Sequence, residues 1–496
     1  MARAIAVAAL AASASAIPAT PYNFSQRVDH FSGSDARFLQ RYYENMTSFG
    51  GPGSPIIMIL GGEGAVPPDV GIFYPSIVVL AQRLRAAIVE PEHRFYGTSQ
   101  PEPPFDTRRL QLLTAPQALA DAAELLEATR ERLGCTGRAG SGPRCPAITV
   151  GGSYPGWLSA MMRLRYPAVV DIAYAGSAPM KFYSQEVGAL DYYRVVTDSA
   201  ARASAGCPDA VRAALAATLA AAAAKSDVAA GLNLCAPLPA YIEAGDLQLL
   251  VEEVAMVFAY SWANLNMANY PPGPATGLAR ACALFEGSGD AWAKMAAFFA
   301  GFAATRRGAA APAAAPAAAP AACYNLSAQL PSGANATISS GDWSGVGSGD
   351  NGASWDYETC TLLVEAIATN NITDMFLPRA WTLEWLYTHC AARFGVTPRP
   401  TELADLWGFD AQTLPSVTSR IIFTNGLNDG WSAGGITTNL SDTLLAFNIA
   451  DGAHHSDLSH LWPSAADTPD VVAARELVAQ TIEAWLQQDA REGARA

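Results

Sequence analysis

Charged side chains are scarce: of 496 residues, only 15% are Asp, Glu, Lys or Arg. Basic ones are the scarcer, 31 against 45 acidic, for a formal net charge of -14. A chain with no basic excess has nothing to neutralise a row of phosphates, which argues against nucleic acid as a partner. The acidic balance serves solubility, and it also suits an acidic compartment, where protonation of carboxylates relieves self-repulsion. None of the eight cysteines forms a C-x-x-C pair, which argues against a structural zinc site or a thioredoxin-type centre. Beyond the first residues no stretch is apolar for long enough to cross a bilayer. The closing REGARA is neither an ER-retention nor a lipid-anchor signal. No metal and no organic cofactor is expected. Histidine is rare enough, at six, for each one to be weighed.

What is present begins with MARAIAVAALAASASA, residues 1–16: a positive Arg3, a short apolar run and small-residue cleavage patterns. This predicts a secretory signal peptide. Six N-x-S/T sequons, at Asn23, Asn45, Asn325, Asn335, Asn371 and Asn439, agree with a glycosylated protein of the secretory pathway. Cys135 and Cys145 flank a glycine-rich loop and are placed to pair locally; spacing alone does not fix the partners of the others.

Continuous apolar runs at 55–60, 86–90, 147–150, 172–175, 419–424 and 444–449 predict strands buried on both faces. Between the second and third lies a helical pattern opened by Thr114 and Gln117, spaced as a capping box, with Pro116 in the first turn. Strands alternating with helices predict an α/β sheet. After about residue 180 the chain becomes alanine-rich and helical. Prolines at 312, 316 and 320 then interrupt an alanine tract, which predicts a linker over 308–322. Thr468-Pro469 opens a closing helix. The expected organisation is an α/β domain over 22–180 and 346–490, interrupted by a mostly helical insertion over 181–345.

The stretch AITVGGSYPGWLSA, 147–160, runs from a strand through two glycines into a helix. Ser153 stands on that turn. It is either a nucleophile or a plain serine in a glycine-rich connection. The pattern departs from G-x-S-x-G, since Pro155 takes the place of the last glycine and Gly156 follows. A proline there lacks only an N–H that has no helical acceptor, and Tyr154 keeps the N–H that an oxyanion hole would use. A serine nucleophile also needs a base and an orienting carboxylate, in the chain order Ser, Asp, His for this strand-to-helix arrangement. Asp429 follows one late strand and the pair His454-His455 follows the last; either histidine suits the base. His30 and His93 precede Ser153 in the chain, the second at a strand end, and His389 neighbours Cys390 in a helical stretch. His460 reads as a solvated loop residue. Gly61-Gly62-Glu63-Gly64, after an early strand, is placed to supply a second oxyanion donor.

The motifs QRVDHF, GGEG, EHRFYG, LTAPQALAD, GGSYPG, WDYETCT, DMFLPRAW, NGLNDGWSAGG and GAHHSDL, in this order, resemble the serine peptidase family of lysosomal Pro-X carboxypeptidase, dipeptidyl peptidase II and thymus-specific serine protease. The resemblance implies an α/β-hydrolase fold with an inserted helical cap domain. It implies a secreted or lysosomal enzyme that trims short peptides beside proline, often at acid pH, and often as a homodimer. It selects Ser153, Asp429 and His454 as nucleophile, acid and base; the residues' own reading adds Tyr154 and Gly62 as backbone oxyanion donors. It suggests the disulfides Cys207–Cys282, Cys235–Cys323 and Cys360–Cys390, with Cys135–Cys145 as a local addition. Gly430 departs from the proline common beside the acid. Trp157 is bulkier than usual, and Glu365 stands where an apolar pocket residue is expected. Glu63, Trp157, Trp431 and Glu365 are therefore the candidate substrate-binding residues, Glu63 as an anchor for a free amine. An esterase with the same triad, and a catalytically silent glycoprotein, are the competing readings.

Overall fold

The computed structural model describes residues 19–66, 71–101, 110–135, 143–222, 231–232, 247–301, 352–458 and 462–493. Eight strands form one sheet: β1 Thr20–Arg27, β2 Arg37–Asn45, β3 Ile56–Ile59, β4 Ala87–Pro91, β5 Ala147–Gly152, β6 Ile172–Gly176, β7 Ile421–Gly426 and β8 Leu444–Ile449. Their order is β1-β2-β4-β3-β5-β6-β7-β8. The first two pairings are antiparallel, and every pairing from β4 onward is parallel. The six parallel strands coincide with the six apolar runs, and β3 to β7 are buried along their whole length. That burial on both faces is why these strands lack alternation.

Helices cover both faces. α1 Pro75–Leu84 and α14 Pro469–Gly493 pack on one side, with Ile77, Val478 and Ile482 against Ile57 and Ile148. α2 Ala115–Arg132 and α3 Tyr154–Arg165 pack on the other. Thr114 caps α2 by accepting from the Gln117 N–H. The reciprocal arm of a capping box is not made: Gln117 accepts from the His30 N–H and donates to Asp29 instead. The side chain thereby ties the N-terminal hairpin to the helix.

Between β6 and β7 the described elements are helical: α4 Met180–Tyr183, α5 Asp191–Ala203, α6 Cys207–Ala222, α7 Leu247–Met267, α8 Gly277–Glu286, α9 Ala291–Gly301, α10 Gly352–Thr359, α11 Leu383–Phe394, α12 Glu402–Trp407 and α13 Leu414–Val417. Trp355 thus lies in a helix, and the sheet itself resumes at Ile421. The architecture is the expected α/β-hydrolase sheet with a long helical excursion. Disulfides join Cys135 to Cys145, Cys207 to Cys282 and Cys360 to Cys390. The second fastens α6 to α8, the third α10's end to α11. The expected signal peptide, the 308–322 linker, Cys235, Cys323, Asn325, Asn335 and His460 lie outside the described residues. No described helix is long and apolar enough to cross a membrane.

Asn23, Asn371 and Asn439 are exposed. Asn45 corrects the sequon reading: only 6% of it is exposed, it sits in β2, and its amide oxygen accepts from the Thr47 N–H and hydroxyl. A glycan has no room there.

Candidate active site

Parallel pairing brings the C-terminal ends of β5 to β8 to one edge of the sheet: Gly152 pairs with Gly176, Gly176 with Thr424, and Gly426 with Ile449. Ser153 leaves β5 at φ 64°, ψ -133°, a conformation that costs a non-glycine residue of order 1–3 kcal/mol. Its N–H donates to the Gly176 carbonyl at 2.8 Å, and its own carbonyl accepts from Trp157 N–H at 3.1 Å, so strand and helix hold the turn from both sides. The glycines make the turn possible. A Cβ on Gly151 would lie 2.1 Å from the Pro155 carbonyl oxygen, and one on Gly152 would lie 2.7 Å from the His455 ring.

Asp429 stands three residues past β7 and is fully buried. One carboxylate oxygen accepts from the Trp431 N–H at 3.1 Å; the other lies 2.5 Å from His454 Nδ1. This contact fixes the His454 ring, whose side chain is 10% exposed. The adjacent His455 turns the other way, with its ring against Gly152 and Tyr74 and its N–H on Ser177 Oγ. The structure therefore separates two histidines that chain order leaves equivalent.

Gly62 reaches the turn from the end of β3. A Cβ there would meet Pro155 Cγ at 2.4 Å, so the Gly62 backbone lies directly against the start of α3. Tyr154 opens that helix, and its N–H has no acceptor within the helix. Glu63 is partly buried; desolvation pushes its carboxyl up, while its own backbone and the nearby His454 ring pull it back in part.

The end of α7 grips the acid and histidine loops together. Asn266 Oδ1 accepts from the Gly430 N–H at 2.8 Å, and its Nδ2 donates to the Asn428 carbonyl at 2.5 Å. The next residue, Met267, accepts from the His454 N–H through its carbonyl and from Trp431 Nε1 through its sulfur. A proline at 430 would have no N–H to offer, which gives the glycine a reason.

Behind Tyr154 lies a second layer. Tyr154 Oη is 3.1 Å from His93 Nε2 and 2.9 Å from Glu358 Oε1; Tyr96 Oη is 2.6 Å from Glu358 Oε2. His93, Tyr96, Tyr154 and Glu358 are all buried. Sequence reasoning missed this layer and Asn266. His93 and Glu358 do lie in EHRFYG and WDYETCT; Asn266 carries no such signal.

The pocket expectation for Trp157 needs correction. Trp157 is fully buried and packs on Tyr154, Tyr183, Trp407 and Phe409, so it fills core and lines no pocket. Its ring neighbours come from α3 itself, α4, α12 and the residue two past α12, all closed around it. Trp431 is also buried, wedged against Phe182 and Tyr192 with its ring 6.4 Å from that of His454. Glu365 is 4% exposed and is hydrogen-bonded by the Tyr183 hydroxyl.

The model of a family described as serine carboxypeptidase S28 matches residues 26–478. Lysosomal Pro-X carboxypeptidase of Mus musculus is 31% identical over 93% of this chain and 88% of its own length. The Homo sapiens protein of that name is 30% identical over 95% of this chain and 90% of its own. Thymus-specific serine protease of Mus musculus is 27% identical over 93% and 86%. A match of this extent, laid over a serine on a strained turn and a carboxylate-held histidine at the sheet's edge, places the chain in the serine carboxypeptidase S28 family.

Proposed function

We propose that this serine peptidase is an exopeptidase of the secretory pathway that trims short peptides beside proline. The observation that carries the catalytic part is the 2.5 Å Asp429–His454 contact at the same sheet edge as Ser153. Ser153 Oγ attacks the scissile carbonyl while His454 Nε2 takes its proton. Asp429 holds Nδ1–H and stabilises the imidazolium. The N–H groups of Tyr154 and Gly62 receive the developing oxyanion. Collapse expels the leaving amine, protonated by His454, and leaves an acyl-enzyme that water hydrolyses by the reverse proton path. The insertion over 181–345 acts as a cap that admits only short, flexible chains; the grip of α7 on the acid and histidine loops supports a position over the site. The preference for proline, and the lysosomal or secreted location, rest on the relatives named for them.

The test is a paired cleavage assay. One substrate is a free-amine X-Pro dipeptide carrying a reporter; the other is an N-blocked peptide ending in Pro-Xaa. Ser153→Ala is run beside the wild type. Cleavage of one substrate, lost in the variant, assigns nucleophile and direction together. A wild type that labels with a fluorophosphonate yet cleaves neither peptide removes the proline preference and keeps the serine chemistry. Preferential cleavage of ester analogues would move the reading to an esterase.

A further inference from the structure

Protons can be counted along the buried layer behind the site. His93 Nδ1 lies 2.8 Å from the Arg94 carbonyl oxygen, which can only accept, so Nδ1 carries a hydrogen. In a neutral ring Nε2 is then an acceptor, and Tyr154 Oη, at 3.1 Å, donates to it. Tyrosine has one proton. None is left for Glu358 Oε1 at 2.9 Å, so that contact needs a proton from Glu358 itself. Tyr96 completes the set by donating to Oε2 at 2.6 Å. Every proton is used once, and His93, Tyr154, Glu358 and Tyr96 are all neutral.

We infer that Glu358, on α10, is a positioning residue held as the neutral acid, and that it donates its proton to Tyr154 Oη. A single directed chain, Glu358 to Tyr154 to His93 to the Arg94 carbonyl, thereby fixes the residue whose N–H follows the nucleophile. This rests on the reading of Ser153 as nucleophile and of Tyr154 N–H as an oxyanion donor.

The competing assignment moves two protons along the same atoms, giving a Glu358 carboxylate and a His93 imidazolium. That would place two charges among buried side chains. The groups that bear on Glu358 oppose it. Burial pushes its carboxyl up to about 8, the Tyr96 and Tyr154 hydroxyls pull it back in part, and Glu63 pushes it further up. Burial takes His93 down to about 4 against the Arg94 carbonyl and Asp121, and Arg94 adds to the fall. Once Glu358 ionises it can only accept. Tyr154 must then turn its proton away from His93, and the neutral ring either keeps Nδ1–H and leaves Nε2 facing the Tyr154 oxygen without a proton, or presents Nε2–H and aims a lone pair at the Arg94 carbonyl. One contact of the chain is lost, and the hold on Tyr154 loosens.

Glutamine reproduces the neutral acid, with an N–H for Tyr154 and an oxygen for Tyr96, and does not titrate. The test is the rate of fluorophosphonate labelling of Ser153 against pH, which needs no peptide preference. The wild type is expected to lose labelling rate several-fold above about pH 8, following the ionisation of Glu358. The Glu358→Gln variant is expected to match it near pH 6 and to keep its rate above pH 8. Coincident alkaline limbs, no alkaline limb in the wild type, or a variant tenfold slower near pH 6 would overturn the proposal. Ring-nitrogen NMR of the wild type, with His93 assigned by substitution, reads the chain without that variant. A neutral Nδ1–H tautomer from pH 5 to 7 is expected, and an imidazolium there sinks the idea. A wild type that never labels would speak against the serine reading and leave this second test decisive.

Discussion

Ser153 occupies left-handed backbone space that serine seldom adopts, and the chain tolerates it because neighbours over-determine it: Gly151 and Gly152 remove the clashes, and Gly176 and Trp157 take its backbone groups. The same close packing makes Gly62 intolerant of change. An alanine there would press its Cβ on Pro155 Cγ, 2.4 Å away, and push the loop off the start of α3. Gly62→Ala is expected to lower kcat about 100-fold, the loss typical of one oxyanion donor, with KM little changed. Unchanged kcat in steady-state assays would remove Gly62 from the oxyanion site. At this scale Ser153, Asp429 and the pair His454-His455 were legible, because catalysis demands residue types in a chain order; the family resemblance, not the order, chose His454. Trp157 was not legible as core, because a bulky aromatic near a nucleophile reads the same whether it lines a pocket or fills the space behind one. Burial is decided by α12 and the loop after it, far away in the chain, which supply Trp407 and Phe409.

Among the elements, α7 has the most to do with the site while lying outside the sheet. Its last two residues hold both loops that carry Asp429 and His454, so the helical excursion braces the candidate site. Asn266→Leu keeps the volume and leaves the buried Gly430 N–H and Asn428 carbonyl without that partner. Each lost partner costs about 1–3 kcal/mol. The variant is expected to melt lower and to label with fluorophosphonate at least tenfold more slowly per folded molecule, because Asp429 is no longer held. Asn266→Asp, which keeps an acceptor for Gly430, should recover part of the rate. A melting shift with no loss of labelling rate would make Asn266 structural only. The parallel strands were readable because burial on both faces leaves continuous apolar runs. β1 and β2 were not, since they form the antiparallel edge and carry Gln26, Arg37, Gln40, Arg41 and Glu44 among their apolar residues. No pattern in the sequence announces which turn of α7 meets the acid loop; that contact is made between residues 164 apart.

For the whole molecule, buried acids set how stability follows pH. Burial pushes Glu90 and Glu358 each up to about 8, the Phe73 N–H easing the first and the two tyrosine hydroxyls the second. Both values lie above the ordinary 4.5, so the folded chain binds more protons than the unfolded one across that interval. Their contribution is complete below about pH 4.5 and is lost as pH rises through about 8. His93 has the opposite sign. Burial lowers it from 6.5 to about 4, so its contribution is present above 6.5 and lost as pH falls through 4. The half-buried or exposed carboxylates held low, Asp29, Asp410, Asp470, Glu476 and Glu483, act only below the ordinary carboxylate range. From about pH 4.5 upward Glu90 and Glu358 favour acid, Glu63 and Glu44, also raised by burial, act in the same direction, and His93 alone of these opposes up to about 6.5. The folded enzyme is therefore expected to be most stable near pH 5 and to lose a few kcal/mol by pH 8, as one pKa unit is worth about 1.4 kcal/mol. Thermal melts of the wild type at pH 5 and 8 measure the difference, and the double variant Glu90→Gln, Glu358→Gln should reduce it by more than half. Melting that rises from pH 5 to 8 in the wild type would mean these acids are ionised in the fold. Any stability at acid pH would then have to come from the surface, where a net charge of -14 relaxes by protonation of exposed carboxylates.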